Sequence, residues 1–168
     1  MNPVVSIIMG STSDWPVMEK AAKHLNEFKI PFEVNALSAH RTPEKVEVFA
    51  KNAEANGIKV IIAGAGMAAH LPGVIAAMTP IPIIGVPIKG SFDGLDAVFS
   101  ILQMPPGIPV ATVAVNGALN AAILATQILA AGDPDIAEKV KEYKSNLKEK
   151  IIKANEDLSQ HNFEYRVK

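Results

Sequence analysis

The sequence predicts an α/β domain in three layers, a five-stranded parallel sheet covered by helices on both faces, and three observations carry that prediction. Short apolar runs rich in Val and Ile alternate along the chain with stretches whose apolar residues recur at helical spacing. The 168 residues suit one domain with an appendage and leave no room for a second large one. Hydrophobic residues make up 49% of the chain, which supplies a core and argues against disorder.

The first strand is Val4 to Met9, a buried-type run ended by Gly10. After the loop GSTSD, Met18, Ala21, Ala22, Leu25 and Phe28 form the stripe of a helix over Trp15 to Phe28, with Ser13 or Asp14 as N-cap and Pro16 in the first turn. The unit repeats: strand Phe32 to Leu37, loop SAHRTP, then a helix from Pro43 that Thr42 caps and Gly57 stops. A third strand, Val60 to Ala63, runs into GAGMAAH and a helix over Leu71 to Met78. A fourth, Ile81 to Val86, leads through a loop with Gly90 and Gly94 to a helix with Leu95, Val98, Phe99 and Leu102 on its apolar face. Strand five is Val110 to Val115, followed by an Ala-rich helix over Ala118 to Ala131 closed by Gly132. The whole reads as a flavodoxin-like sandwich with strand order 2-1-3-4-5. Residues 133–168 differ: Asp133 and Pro134 open a charged helix with a thin stripe of Ile136, Val140, Tyr143, Leu147, Ile151 and Leu158. At 1.5 Å per residue it is about 37 Å long, more than one small domain covers. The expectation is that it packs on a neighbouring subunit, with a protruding tail as the alternative.

Composition removes several function classes. Lys plus Arg number 16 against 17 Asp plus Glu, so no global charge excess points to nucleic acid or an anionic membrane. The absence of cysteine excludes disulfides, zinc thiolates, iron–sulfur clusters and thiol nucleophiles. MNPVVSIIMG lacks a basic segment before an apolar stretch, and no uninterrupted apolar run reaches about 18 residues. The expectation is a soluble, cytoplasmic protein. No GxxxxGK[ST], HExxH or GxSxG is present, and no set of His and carboxylates has metal-ligand spacing.

In open parallel sheets ligands bind beyond the carboxyl ends of the strands, where strand order reverses. With order 2-1-3-4-5, GSTSD, SAHRTP and GAGMAAH meet there. GSTSD feeds a helix N-terminus suited to phosphate, with Ser11 and Ser13 as hydroxyl donors and Asp14 as acceptor for a ribose diol, although simple capping explains Ser13 and Asp14 equally. In SAHRTP, Arg41 offers a cationic fork for phosphate and His40 exchanges protons near neutral pH. His70, in an apolar segment, has a core histidine as its plain alternative. Gly64, Ala65 and Gly66 remove bulk, either for a small ligand or for close helix packing. His24, among lysines, and His161, in the tail, read as solvated, and Asp93 and Asp96 as loop and helix-start residues.

MGSTSDW, SAHRTP, GAGMAAHLPG and QMPPGIPV, in this order and spacing, resemble the 5-(carboxyamino)imidazole ribonucleotide mutases of bacterial purine biosynthesis, class I of the PurE family, from about Val4 to Ala131. The resemblance implies a flavodoxin-like catalytic domain over residues 1–132 and a C-terminal extension over 133–168 that embraces neighbours in a homo-octamer. It assigns Ser11, Ser13 and Arg41 to the substrate's phosphate and Asp14 to its ribose. His40 becomes the general acid and base, and Ser38, Ala65, Gly66, His70 and Leu71 line the pocket of the migrating carboxyl group. It implies a small ribonucleotide substrate and no cofactor, metal, nucleic acid or membrane partner. Two features depart from the family: Met67 stands where many relatives have Gly, and VNGALN replaces a longer Lys-containing loop. Two rival readings are a carboxylase using free carbon dioxide and a non-enzymatic flavin-binding module; for the latter only Trp15 and two tyrosines could stack on a flavin.

Overall fold

The computed structural model describes residues 2–167. Its strands are β1 (Val5–Met9), β2 (Phe32–Ala36), β3 (Val60–Gly66), β4 (Ile83–Ile88) and β5 (Ala111–Thr112), and they form one parallel sheet in the order β2-β1-β3-β4-β5. The helices are α1 (Trp15–Glu27), α2 (Pro43–Asn52), α3 (Leu71–Ala76), α4 (Leu95–Leu102), α5 (Ala118–Ala130) and α6 (Pro134–Ser159), and a 3-10 turn at Thr12–Asp14 leads into α1. The predicted flavodoxin-like three-layer sandwich is the observed fold.

Alternation along each strand builds two cores, because successive side chains of a strand face opposite sides of the sheet. Val5, Ile7 and Met9 of β1 and Val60 and Ile62 of β3 join Met18, Ala21 and Leu25 of α1 and Ala118, Ala121, Ala122 and Ala125 of α5. On the other face, Ile8, Ile61, Ala63 and Ile83 meet Val46 and Ala50 of α2, Ile75 of α3, and Ala97 and Ile101 of α4. Small side chains let the layers close: a Cβ on Gly64 would stand 2.5 Å from Met18 Sδ, so α1 lies directly over β3.

Several elements differ from the sequence expectation for identifiable reasons. β5 shrinks from the expected Val110–Val115 to two residues. Val113 still donates its N–H to the Gly85 carbonyl, but the next ladder bond would need an N–H from Pro87, which has none. β3 absorbs the start of GAGMAAH and β4 begins two residues late, at Ile83. α2 ends at Asn52; Gly57, at φ 87°, closes the turn that follows. Thr42 precedes α2 without a side-chain cap; its hydroxyl instead accepts from the Ser38 N–H and donates to the Ser38 carbonyl. Asp133 caps α6 as expected, accepting from the N–H groups of Asp135 and Ile136.

The largest correction concerns His24, which is 3% exposed rather than solvated. Its ring stacks on Phe28 with centroids 4.3 Å apart and meets Tyr143 of α6 edge-on at 5.6 Å. Thr126 of α5 donates its hydroxyl proton to the Ala122 carbonyl at 2.8 Å, so its oxygen can only accept from His24 Nε2, 3.4 Å away. His24 therefore ties α1, α5 and α6 together. Beyond Tyr143 the apolar stripe of α6 leaves the domain: Leu147, Ile151, Ile152 and Leu158 are all exposed. Among the described residues no helix is long and apolar enough to cross a membrane.

Candidate functional site

Four strand ends open into one cavity of about 630 Å3 at the carboxyl edge of the sheet. Ser11, Ser13, Asp14, Ser38, His40, Arg41, Ala65, Gly66, His70 and Leu71, all the candidate residues, lie around it. They meet because β1 sits between β2 and β3, so the loops leaving these strands are neighbours in space.

The loop after β1 is held by its own hydroxyls. Ser11 Oγ accepts from the Ser13 N–H at 3.3 Å and from the Ser13 hydroxyl at 2.9 Å, which winds the chain into the turn preceding α1. Asp14 stands at the start of α1 without making a side-chain cap. Burial pushes its carboxyl up from the ordinary value, against the opposing pull of a Ser11 backbone hydrogen bond, the Ser13 hydroxyl and the Arg41 charge. Arg41 joins the two loops: Nη2 donates to the Gly10 carbonyl at 2.8 Å, and the Ser38 hydroxyl accepts from its backbone N–H at 3.2 Å. One edge of the guanidinium thus fixes the loops, and its other donors remain for a ligand.

His40 reaches from the β2 loop across β1 to the β3 loop, where its Nε2 lies 2.8 Å from His70 Nδ1 with the rings nearly perpendicular at 81°. At that distance exactly one of the facing nitrogens carries the hydrogen, so the pair shares a single proton along its contact. His70 is exposed at this edge, which settles the alternative of a core histidine. The wall beside the pair is small and largely apolar: Ala65, Gly66, Ala68 and Leu71. Met67 lines the same cavity at φ 57°, in the left-handed region that glycine enters without steric cost.

The sequence reading missed the contribution of β4, whose end brings Ile88, Lys89 and Gly90 to the same cavity. The signal was available: strand order places β4 beside β3, and Lys89 is the first charged residue after it. Asp93 makes an ion pair with Lys89, and Asp96 opens α4, in line with the loop and helix-start roles read for them. Among the described residues no cluster of three or more His, Cys, Asp or Glu could hold a metal ion. A second cavity of about 640 Å3 at the opposite edge of the sheet is lined by Phe28, Lys59, Ile128, Asp133 and Lys139. Two of its charges serve the fold, since Asp133 caps α6 and Lys139 Nζ donates to the Phe28 carbonyl.

Fold and site together define a flavodoxin-like α/β protein with a cleft at its switch point that combines a helix N-terminus, a partly free arginine and a proton-sharing histidine pair. More narrowly, the chain belongs to the AIR carboxylase family, whose model matches residues 4–150. It is 57% identical over 159 residues to N5-carboxyaminoimidazole ribonucleotide mutase of Thermotoga maritima, covering 94% of this chain and 93% of that one. It is also 52% identical over 158 residues to phosphoribosylaminoimidazole carboxylase of Schizosaccharomyces pombe, spanning 94% of this chain but 29% of that longer protein. Its fold is similar to that of PurE from Treponema denticola, with a TM-score of 0.86 and 37% identity over 94% of this chain and 99% of that one.

Proposed function

We propose that the protein moves the carboxyl group of N5-carboxyaminoimidazole ribonucleotide from the exocyclic nitrogen to the ring carbon, yielding 4-carboxy-5-aminoimidazole ribonucleotide for purine biosynthesis. The observation that carries this reading is the His40–His70 pair inside the cleft, supported by the near full-length similarity to a mutase.

The chemistry follows from what these groups can do. Arg41, Ser11, Ser13 and the start of α1 hold the phosphate, and Asp14 accepts from the ribose hydroxyls. His40 donates a proton to the carbamate nitrogen; the C–N bond breaks, and carbon dioxide and the aminoimidazole form together. The ring carbon then attacks the retained carbon dioxide, and His40 recovers a proton from that carbon, so the residue ends as it began. His70, in hydrogen-bond contact with His40, holds its ring in place. Ala65, Gly66 and Leu71 supply a wall without competing polar groups, and confinement there replaces a bimolecular encounter. The steps require neither an oxidant nor a nucleoside triphosphate. Purified protein should therefore convert the carbamate to the ring-carboxylated product without ATP, and failure to do so would refute the reading.

Assembly belongs to the same proposal. The exposed Leu147, Ile151, Ile152 and Leu158 favour a homo-oligomer, an octamer by family resemblance, in which α6 packs on neighbours. A chain ending at Ser145 keeps Tyr143 on His24 and should stay folded while its mass in light scattering falls. An unchanged assembly would mean that the distal helix makes no subunit contact.

A further inference from the structure

The geometry points to Lys89 as the group that recognises the carboxylate of the ligand and separates carboxylated from uncarboxylated ribonucleotides. This rests on the function proposed above.

Lys89 follows β4, and Gly66 of β3 is in register with Ile88, so the lysine lines the cleft on the side of Gly66 and Met67. Arg41 enters from the β2 loop. Three strand spacings, about 14 Å, separate β2 from β4, so the two cations approach the cleft from opposite sides. A ribonucleotide carrying a carboxyl group on its base has anions at opposite ends, and the cleft offers a cation near each. Ala65, Gly66, Ala68 and Leu71, which line the same cleft as Lys89 and the histidine pair, are neutral.

Lys89 is fixed at its backbone and held at its tip by one exposed ion pair. Its N–H donates to Asn116 Oδ1 at 2.9 Å, and the N–H of Asn116 itself donates to the Pro87 carbonyl at 2.8 Å, so VNGALN secures the exit of β4. Its ammonium pairs with Asp93 Oδ1 at 2.8 Å, and the two side chains are 57% and 83% exposed. An ion pair this exposed is weak, and a ligand carboxylate can take the place of Asp93 at little cost. Until then the hydrogen bond and charge of Asp93 raise the lysine's pKa and keep it protonated. The backbone supports the same arrangement: Phe92, Asp93 and Gly94 all have positive φ, a tight turn that folds the carboxylate back toward Lys89.

Isothermal titration tests the assignment with two probes, 4-carboxy-5-aminoimidazole ribonucleotide and the uncarboxylated 5-aminoimidazole ribonucleotide. Lys89→Met should weaken the carboxylated ligand about 10- to 100-fold, the usual range for a lost charge-assisted contact, and leave the uncarboxylated ligand within twofold. Lys89→Arg should restore most of the loss. Equal weakening of both ligands, or of neither, would overturn the assignment. Wild-type protein that binds neither would overturn the functional reading beneath it.

Discussion

Two histidine environments in this chain show how surroundings, rather than residue type, decide what an imidazole does. His24 lies between Phe28 and Tyr143 with a hydroxyl as its partner, and burial pushes its pKa below the ordinary value, partly offset by the charge of Glu27. His40 stands at an open sheet edge and faces a second imidazole at 2.8 Å. The first setting disfavours the protonated form and makes the ring a packing element. The second puts the ring in hydrogen-bond contact with another imidazole, the arrangement on which the proposed proton-transfer role rests.

Exchanging roles should fail in both places, by very different amounts. His40→Asn keeps a polar shape but cannot shuttle a proton, so turnover should fall about 10²- to 10⁴-fold with the melting temperature unchanged. Activity within tenfold of wild type would remove His40 from the chemistry. Arg41→Ala, which leaves both histidines, should weaken ribonucleotide binding by about 1.5–3 kcal/mol while turnover of bound substrate changes less. Unchanged affinity would place the phosphate elsewhere.

At His24 the effect is smaller and appears in stability. Because the folded-state pKa lies below the ordinary 6.5, the unfolded chain takes up the proton first as pH falls. Stability is thus fully present above about pH 6.5 and is lost as pH drops toward the folded value, where the loss levels off. His24→Phe should flatten this part of a melting-temperature profile and leave activity near wild type. A slope that survives the substitution would mean that other groups set it.

The same contrast explains what could be read from sequence. GSTSD, SAHRTP and GAGMAAH were legible as one site because their strands are local apolar runs and the strand order follows from the alternation of elements. His24 was not, since Lys20, Lys23 and Glu27 surround it in sequence and its cover, Tyr143, comes from a helix far along the chain. Its place one turn after Ala21 and one turn before Phe28, on the border of the α1 stripe, was the available clue. β5 was overestimated because composition shows Val110 to Val115 as a strand, whereas pairing depends on an N–H that Pro87 of its neighbour does not have.

The central claim is that carbon dioxide released beside His40 is recaptured before it escapes. Unlabelled N5-carboxyaminoimidazole ribonucleotide turned over in labelled bicarbonate tests it most directly. The account predicts that early product carries little label, and that the uncarboxylated ribonucleotide with dissolved carbon dioxide is a poor substrate pair. Product labelled from the first turnover to the specific activity of the medium would contradict it, and would make the enzyme a carboxylase acting on free carbon dioxide.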